Sequence, residues 1–116
     1  MSRRDPMVRL RHMLNYARAT VRITAGRSRA DLDLDESFAL AVTHAIGMIG
    51  EAASQVPPEV RAQSPGVPWR VIVGMRHRLI HGYEEISFDL LWRAAIESVP
   101  PLIAELERIL SPEGPS

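Results

Sequence analysis

The chain has 116 residues, with 14 basic and 14 acidic side chains and no cysteine. That length suits one domain, expected over residues 1–116, and the 46% apolar content is enough to build a core without disulfides or metal. The composition excludes cysteine nucleophiles, thiolate metal sites and long disordered segments, and no apolar run reaches the roughly 18–20 residues that span a bilayer. The N-terminus lacks a secretory signal core, so a soluble cytoplasmic protein with no membrane partner is expected.

The first helix is predicted to start at Pro6, capped by Asp5. Met7, Leu10, Leu14, Ala17 and Val21 follow at helical spacing, and Gly26 reads as the stop. Arg11, Arg18 and Arg22 form a second stripe beside the apolar one, suited to snorkelling, intersubunit contact or phosphate binding. Residues 27–34 are polar and carry at most a short helical turn. Asp33 or Asp35 can cap a second helix, in which Phe38, Ala41, Val42, Ala45, Ile46, Ile49 and Ala53 repeat at three and four residues. Gly47 and Gly50 lie inside it at a cost of about 1 kcal/mol each relative to Ala, and close helix packing is the expected reason for both. Pro57-Pro58 ends this helix, and a proline-rich connector follows with one helical turn near Glu59–Ala62. The third helix opens at Pro68-Trp69 and runs to about His81, with Gly82 as its stop. The fourth begins at Ser87 or Asp89 and carries Leu91, Ala95, Val99, Leu102, Leu106 and Ile109, with a kink or break expected at Pro100-Pro101. The tail from Ser111 is expected to fray. No segment alternates as a strand does, so an all-α, up-and-down bundle of four to five helices is the natural architecture.

The neutral total conceals segregation. Every basic residue is Arg. Residues 1–30 carry +7, 31–60 carry −6, 61–83 carry +4 and 84–116 carry −5. Two readings stay open on charge alone: oppositely charged helices lying side by side, or basic segments converging on a polyanion.

The segment Arg76-His77-Arg78-Leu79-Ile80-His81-Gly82-Tyr83 carries the chemistry. Arg76 offers a planar donor fork for phosphate. A helix C-terminus favours imidazolium while the nearby arginines oppose it, a balance that suits His81 to proton transfer near neutral pH. Arg76 and His81 are five residues apart, about 140° around a helix. They therefore flank a groove, or two copies of the helix form composite pockets in a homodimer. A bland reading stands beside this one: His81 caps the helix, Arg76 pairs with an acid such as Glu51, and Tyr83 sits in the core. His77 and His81 have metal-ligand spacing, but no third ligand is evident, and no metal or other cofactor is expected. His12 and His44 read as surface and packing residues. No phosphate-binding glycine loop is present.

The window from Trp69 to Tyr83 resembles the signature of HepT-like toxins in the HEPN superfamily: Arg, four residues, His, one residue, Tyr. Ile49-Gly50-Glu51-Ala52-Ala53 resembles the family's second-helix motif, and Asp89-Leu90-Leu91-Trp92 the start of its last long helix. The resemblance implies a HEPN-like homodimer with the motifs of both subunits meeting in a cleft. It implies a metal-independent endoribonuclease toxin that cleaves RNA, with tRNA as a candidate substrate. Its usual partner is an MNT-type nucleotidyltransferase antitoxin that transfers AMP from ATP to the motif tyrosine. Carried over by position, Arg76 and His81 are catalytic and Tyr83 is the AMPylated residue. His77, Arg78 and Glu51 are supporting or substrate-binding residues. The alternative is a non-catalytic HEPN-like module that binds RNA or nucleotide and serves as a scaffold for a nucleotidyltransferase.

Overall fold

The computed structural model describes residues 5–81 and 87–111, apart from the side chains of Ile80 and His81. Within these residues there are only helices and their connections: α1 (Pro6–Thr24), α2 (Asp31–Leu34), α3 (Glu36–Ser54), α4 (Pro58–Ala62), α5 (Trp69–His81), α6 (Phe88–Arg93), a π-helical turn (Ala94–Ser98) and α7 (Val99–Leu110). No helix among them is long and apolar enough to cross a membrane.

The caps follow local chemistry. The Asp5 side chain accepts from the Met7 N–H, with Pro6 at the first helical position. Asp35 accepts from the Phe38 N–H at the start of α3, and Ser87 accepts from the Leu90 N–H at the start of α6. Gly26 follows α1 at φ +73°, a conformation that a side chain resists.

The four long helices form an up-and-down bundle. Arg27 lies over the Phe38 ring and Tyr16 meets His44, so α1 and α3 run antiparallel. Arg29 pairs with Asp89 and Arg18 with Glu107, which sets α7 antiparallel to α1. Gly50 faces Ile72 and Arg76 while Gly47 faces Leu79, so α5 runs back along α3. The buried side chains form one apolar cluster that includes Leu10, Met13, Val42, Ile49, Leu91 and Leu106. Helix α5 joins it chiefly through α3, with Met75 and Leu79 buried and Val71 62% exposed. It is the edge of the bundle, packed mainly against α3.

Two expectations need correction, for Val21 and Gly47. Val21 is 40% exposed; Thr20 and Thr24 take the core positions instead. Their hydroxyls donate to the carbonyls of Tyr16 and Thr20, which removes the cost of burying them. The interruption expected at Pro100-Pro101 is present: the last long helix divides into α6 and α7 at a π-helical turn just before the two prolines. They occupy the first turn of α7, where missing N–H groups cost little, and the preceding π-helical turn absorbs the mismatch, with Val99 N–H donating to Ala94. Gly47 is not a close-packing glycine: a Cβ there would meet only Leu79 Cδ1, at 3.7 Å. Gly50 is one, since its Cβ would overlap Arg76 Cβ and lie 2.8 Å from the Ile72 carbonyl oxygen.

The connector before α5 is built rather than loose. Arg61 donates to the carbonyls of Ala53, Ser54 and Val56, which closes the C-terminal end of α3. Trp69 Nε1 donates back to the carbonyls of Arg61 and Ser64, which fixes where α5 begins.

Candidate nucleic-acid interface and active site

Helices α3 and α5 meet at Gly50, and this close approach brings Arg76 against Glu51. The Arg76 Nε lies 2.7 Å and one Nη 2.6 Å from the same carboxylate oxygen, Glu51 Oε1. The other oxygen, Oε2, accepts from Gln55 Nε2 at 2.9 Å. Glu51 is thus held from both sides, and it holds one edge of the guanidinium. The other terminal nitrogen of Arg76 makes no hydrogen bond to the described residues. Arg76 remains 28% exposed, so its free edge can meet an incoming anion.

His77 and Arg78 are exposed on the outer side of α5, where Arg70 also stands exposed. Position 81 is the last of α5, and the helix is continuous from 69 to 81. Positions 76 and 81 therefore keep the roughly 140° separation of an ideal helix. The side chain of His81, and Gly82 and Tyr83 altogether, lie outside the described residues, as does the tail beyond Ser111.

Much of the charge segregation resolves into neighbouring helices. Arg18 of the N-terminal stripe pairs with Glu107 at 2.7 Å, so it is engaged within the chain. Arg27 bridges Asp31 and Asp35, and Arg29 bridges Asp33 and Asp89. The Ser28 N–H and Arg27 together hold the Asp31 carboxyl below its usual value of 3.8; the Phe38 N–H and Arg27 do the same for Asp35. Arg9, Arg11, Arg22, Arg70 and Arg78 make no ion pair with the described residues. Among the described residues, no three His, Asp or Glu side chains gather as a metal site needs.

Beside the Arg76–Glu51 pair lies a hollow of about 210 Å³, lined on α3 by Thr43, His44, Gly47, Met48 and Glu51 and on α5 by Arg76 and Leu79. Of these, the sequence pointed only to Glu51 and Arg76 as site residues. A second hollow, almost wholly apolar, separates α5 from the α6–α7 arm; Val71, Ile72 and Met75 face Leu90, Val99 and Leu102 across it.

The site is thus an arginine-rich helix end set beside a carboxylate in an antiparallel helical bundle. The family model described as Ribonuclease HepT-like matches residues 13–109, and the chain belongs to that family. A protein of Caldanaerobacter subterraneus subsp. tengcongensis, provisionally named an RNase, is 30% identical over 95% of this chain and 98% of its own length. A protein of Methanocaldococcus jannaschii, also provisionally named an RNase, is 34% identical over 92% of this chain and 98% of its own. One of Thermococcus cleftensis, provisionally named ribonuclease HepT, is 33% identical over 68% of this chain and 72% of its own. No solved structure matches the chain.

Proposed function

We propose that the protein is a metal-independent endoribonuclease, the toxin of a toxin–antitoxin pair, working as a homodimer. The observation that carries this reading is the half-restrained Arg76. Glu51 fixes one edge of the guanidinium and leaves the other for a phosphate, so little ordering remains to be done when RNA binds. The 2′-oxygen attacks phosphorus and the P–O5′ bond breaks, which leaves a 2′,3′-cyclic phosphate and a 5′-hydroxyl. His81 takes the 2′-hydroxyl proton, the departing 5′-oxygen takes one from water, and Arg76 absorbs the charge that builds on the phosphorane. His77 and Arg78 contact the flanking RNA backbone.

The helix geometry favours a site shared between subunits. Positions 76 and 81 lie about 140° apart around a continuous α5, an arrangement that suits pockets drawing on two copies of the helix. Gly74 supports the same view. It sits in the middle of α5 with nothing within 4 Å of where its Cβ would lie, so no contact among the described residues calls for a glycine there. Close approach by α5 of a second copy does, and exposed Val71 and the adjoining apolar hollow supply the surface to be covered.

AMP transfer to Tyr83 by an MNT-type antitoxin fits this chemistry, because a bulky anion two residues from His81 would compete with RNA for Arg76. The test is incubation of the purified protein with RNA in EDTA, alongside Arg76→Ala and His81→Ala. Cyclic-phosphate ends from the wild type alone are expected. Intact RNA at high protein concentration would instead favour a non-catalytic RNA-binding or scaffold module.

A further inference from the structure

The hollow beside Arg76 and Glu51 has features that neither the fold nor the ion pair requires. Gly47 forms part of its floor, yet no neighbouring atom demands a glycine, in contrast to Gly50 one turn away. Thr43 lines the same hollow, and its hydroxyl oxygen is buried without a hydrogen-bond partner among the described residues. A threonine inside a helix ordinarily bonds back to the preceding turn, as Thr20 and Thr24 do here. An unmet buried hydroxyl is costly and points to a group that completes it.

We propose that this hollow is a nucleobase subsite, seating one base of the RNA beside the phosphate held by Arg76; the proposal rests on the ribonuclease reading above. The space suits a flat ring, since about 210 Å³ far exceeds the room for one or two waters. Met48 and Leu79 offer apolar walls, and a thioether packs well against an aromatic face. Polar groups stand close by: the imidazole of His44, whose ring meets Tyr16 edge-on with centroids 6.2 Å apart, and the Thr43 hydroxyl, which is buried just behind the lining and reaches a base edge by turning about its χ1 bond. The one carboxylate in the lining, Glu51, is occupied by Arg76 and Gln55 and presents no free anion to a phosphodiester. Residues 44 and 51 are about 10.5 Å apart along the helix axis, the scale of one nucleotide from phosphate to base. Gly47 keeps the floor open where a methyl group would lift the base.

The test uses the full chain, titrated by NMR with each of four nucleoside 3′-monophosphates and with ribose 5-phosphate as a baseless control. At least one nucleotide should shift Thr43, Gly47, Met48 and Leu79, while ribose phosphate shifts only residues around Arg76. Thr43→Val and Gly47→Ala should each weaken nucleotide binding, by up to about tenfold for the lost hydroxyl, without lowering the melting temperature. They should also flatten base preference at the cleavage site in a mixed-sequence RNA. If RNA is cut and the variants keep the wild-type preference and nucleotide affinity, the subsite is wrong and the ribonuclease reading stands. If RNA stays intact while nucleotides bind and the variants weaken them, the site takes free nucleotides and the ribonuclease reading fails. Equal shifts from nucleotides and ribose phosphate overturn the subsite.

Discussion

Gly50→Ala is the most informative single substitution in this protein, with Gly47→Ala as its control. Both replace glycine by alanine within α3, so the gain in helix propensity, about 1 kcal/mol, is common to the two and cancels in their difference. What remains is the fate of one methyl group. At position 47 it meets Leu79 Cδ1 at ordinary contact distance, 3.7 Å. At position 50 it overlaps Arg76 Cβ and lies 2.8 Å from the Ile72 carbonyl, atoms that no side-chain rotation can move aside. Helix α5 must then retreat from α3, at an overpacking cost of about 1–3 kcal/mol. Gly47→Ala should therefore be more stable than the wild type by up to about 1 kcal/mol. Gly50→Ala should fall below Gly47→Ala by about 1–3 kcal/mol. Urea denaturation followed by circular dichroism, at one protein concentration, measures both. Cleavage should also fall in Gly50→Ala, since moving α5 loosens Arg76 from Glu51. Equal stability of the two variants would refute the close contact between α3 and α5 on which the placement of Arg76 depends.

Further outcomes follow from the ion pairs, the edge helix and the motif tyrosine. The carboxyls of Asp31 and Asp35 are held below 3.8, so their contribution is present above that pH and is lost as acidification passes through the lowered folded values. Asp35→Asn, which keeps a capping side chain, should flatten the loss of stability below pH 3.8; an unchanged acid limb in denaturant titrations would count against the Arg27 bridge. Gly74→Leu should leave the single bundle folded but shift the mass seen by sedimentation from dimer to monomer, and an unaltered dimer would place the interface elsewhere. Tyr83→Phe should keep ribonuclease activity yet gain no AMP mass from the MNT-type partner and ATP; a modified Phe variant would move the acceptor to another residue.

The sequence was legible wherever structure is local. Asp5, Asp35 and Ser87 cap within three residues of themselves, so short-range chemistry announces them, and the starts of α1, α3 and α6 follow. The pairing of Arg76 with Glu51 was legible only as one alternative, since pattern alone does not say which acid α5 meets. The two glycines of α3 could not be told apart from pattern alone. Gly50 meets backbone and Gly47 meets the end of a side chain, and that difference lies on α5, some 25 residues away. The exposure of Val21 was hidden for a related reason: hydropathy favours it, but satisfied hydroxyls let Thr20 and Thr24 take the core. The hollow at Thr43 and His44 was invisible because half of its wall comes from another helix.

The most direct measurement is complementation between two inactive proteins. Arg76→Ala and His81→Ala are each inert if both groups serve catalysis. Unfolded and refolded together, a mixed dimer with the two groups contributed in trans carries one intact site, and random pairing should restore about one quarter of the wild-type cleavage rate. A mixture as dead as its parts, in dimers verified by mass, would contradict a catalytic centre shared between subunits.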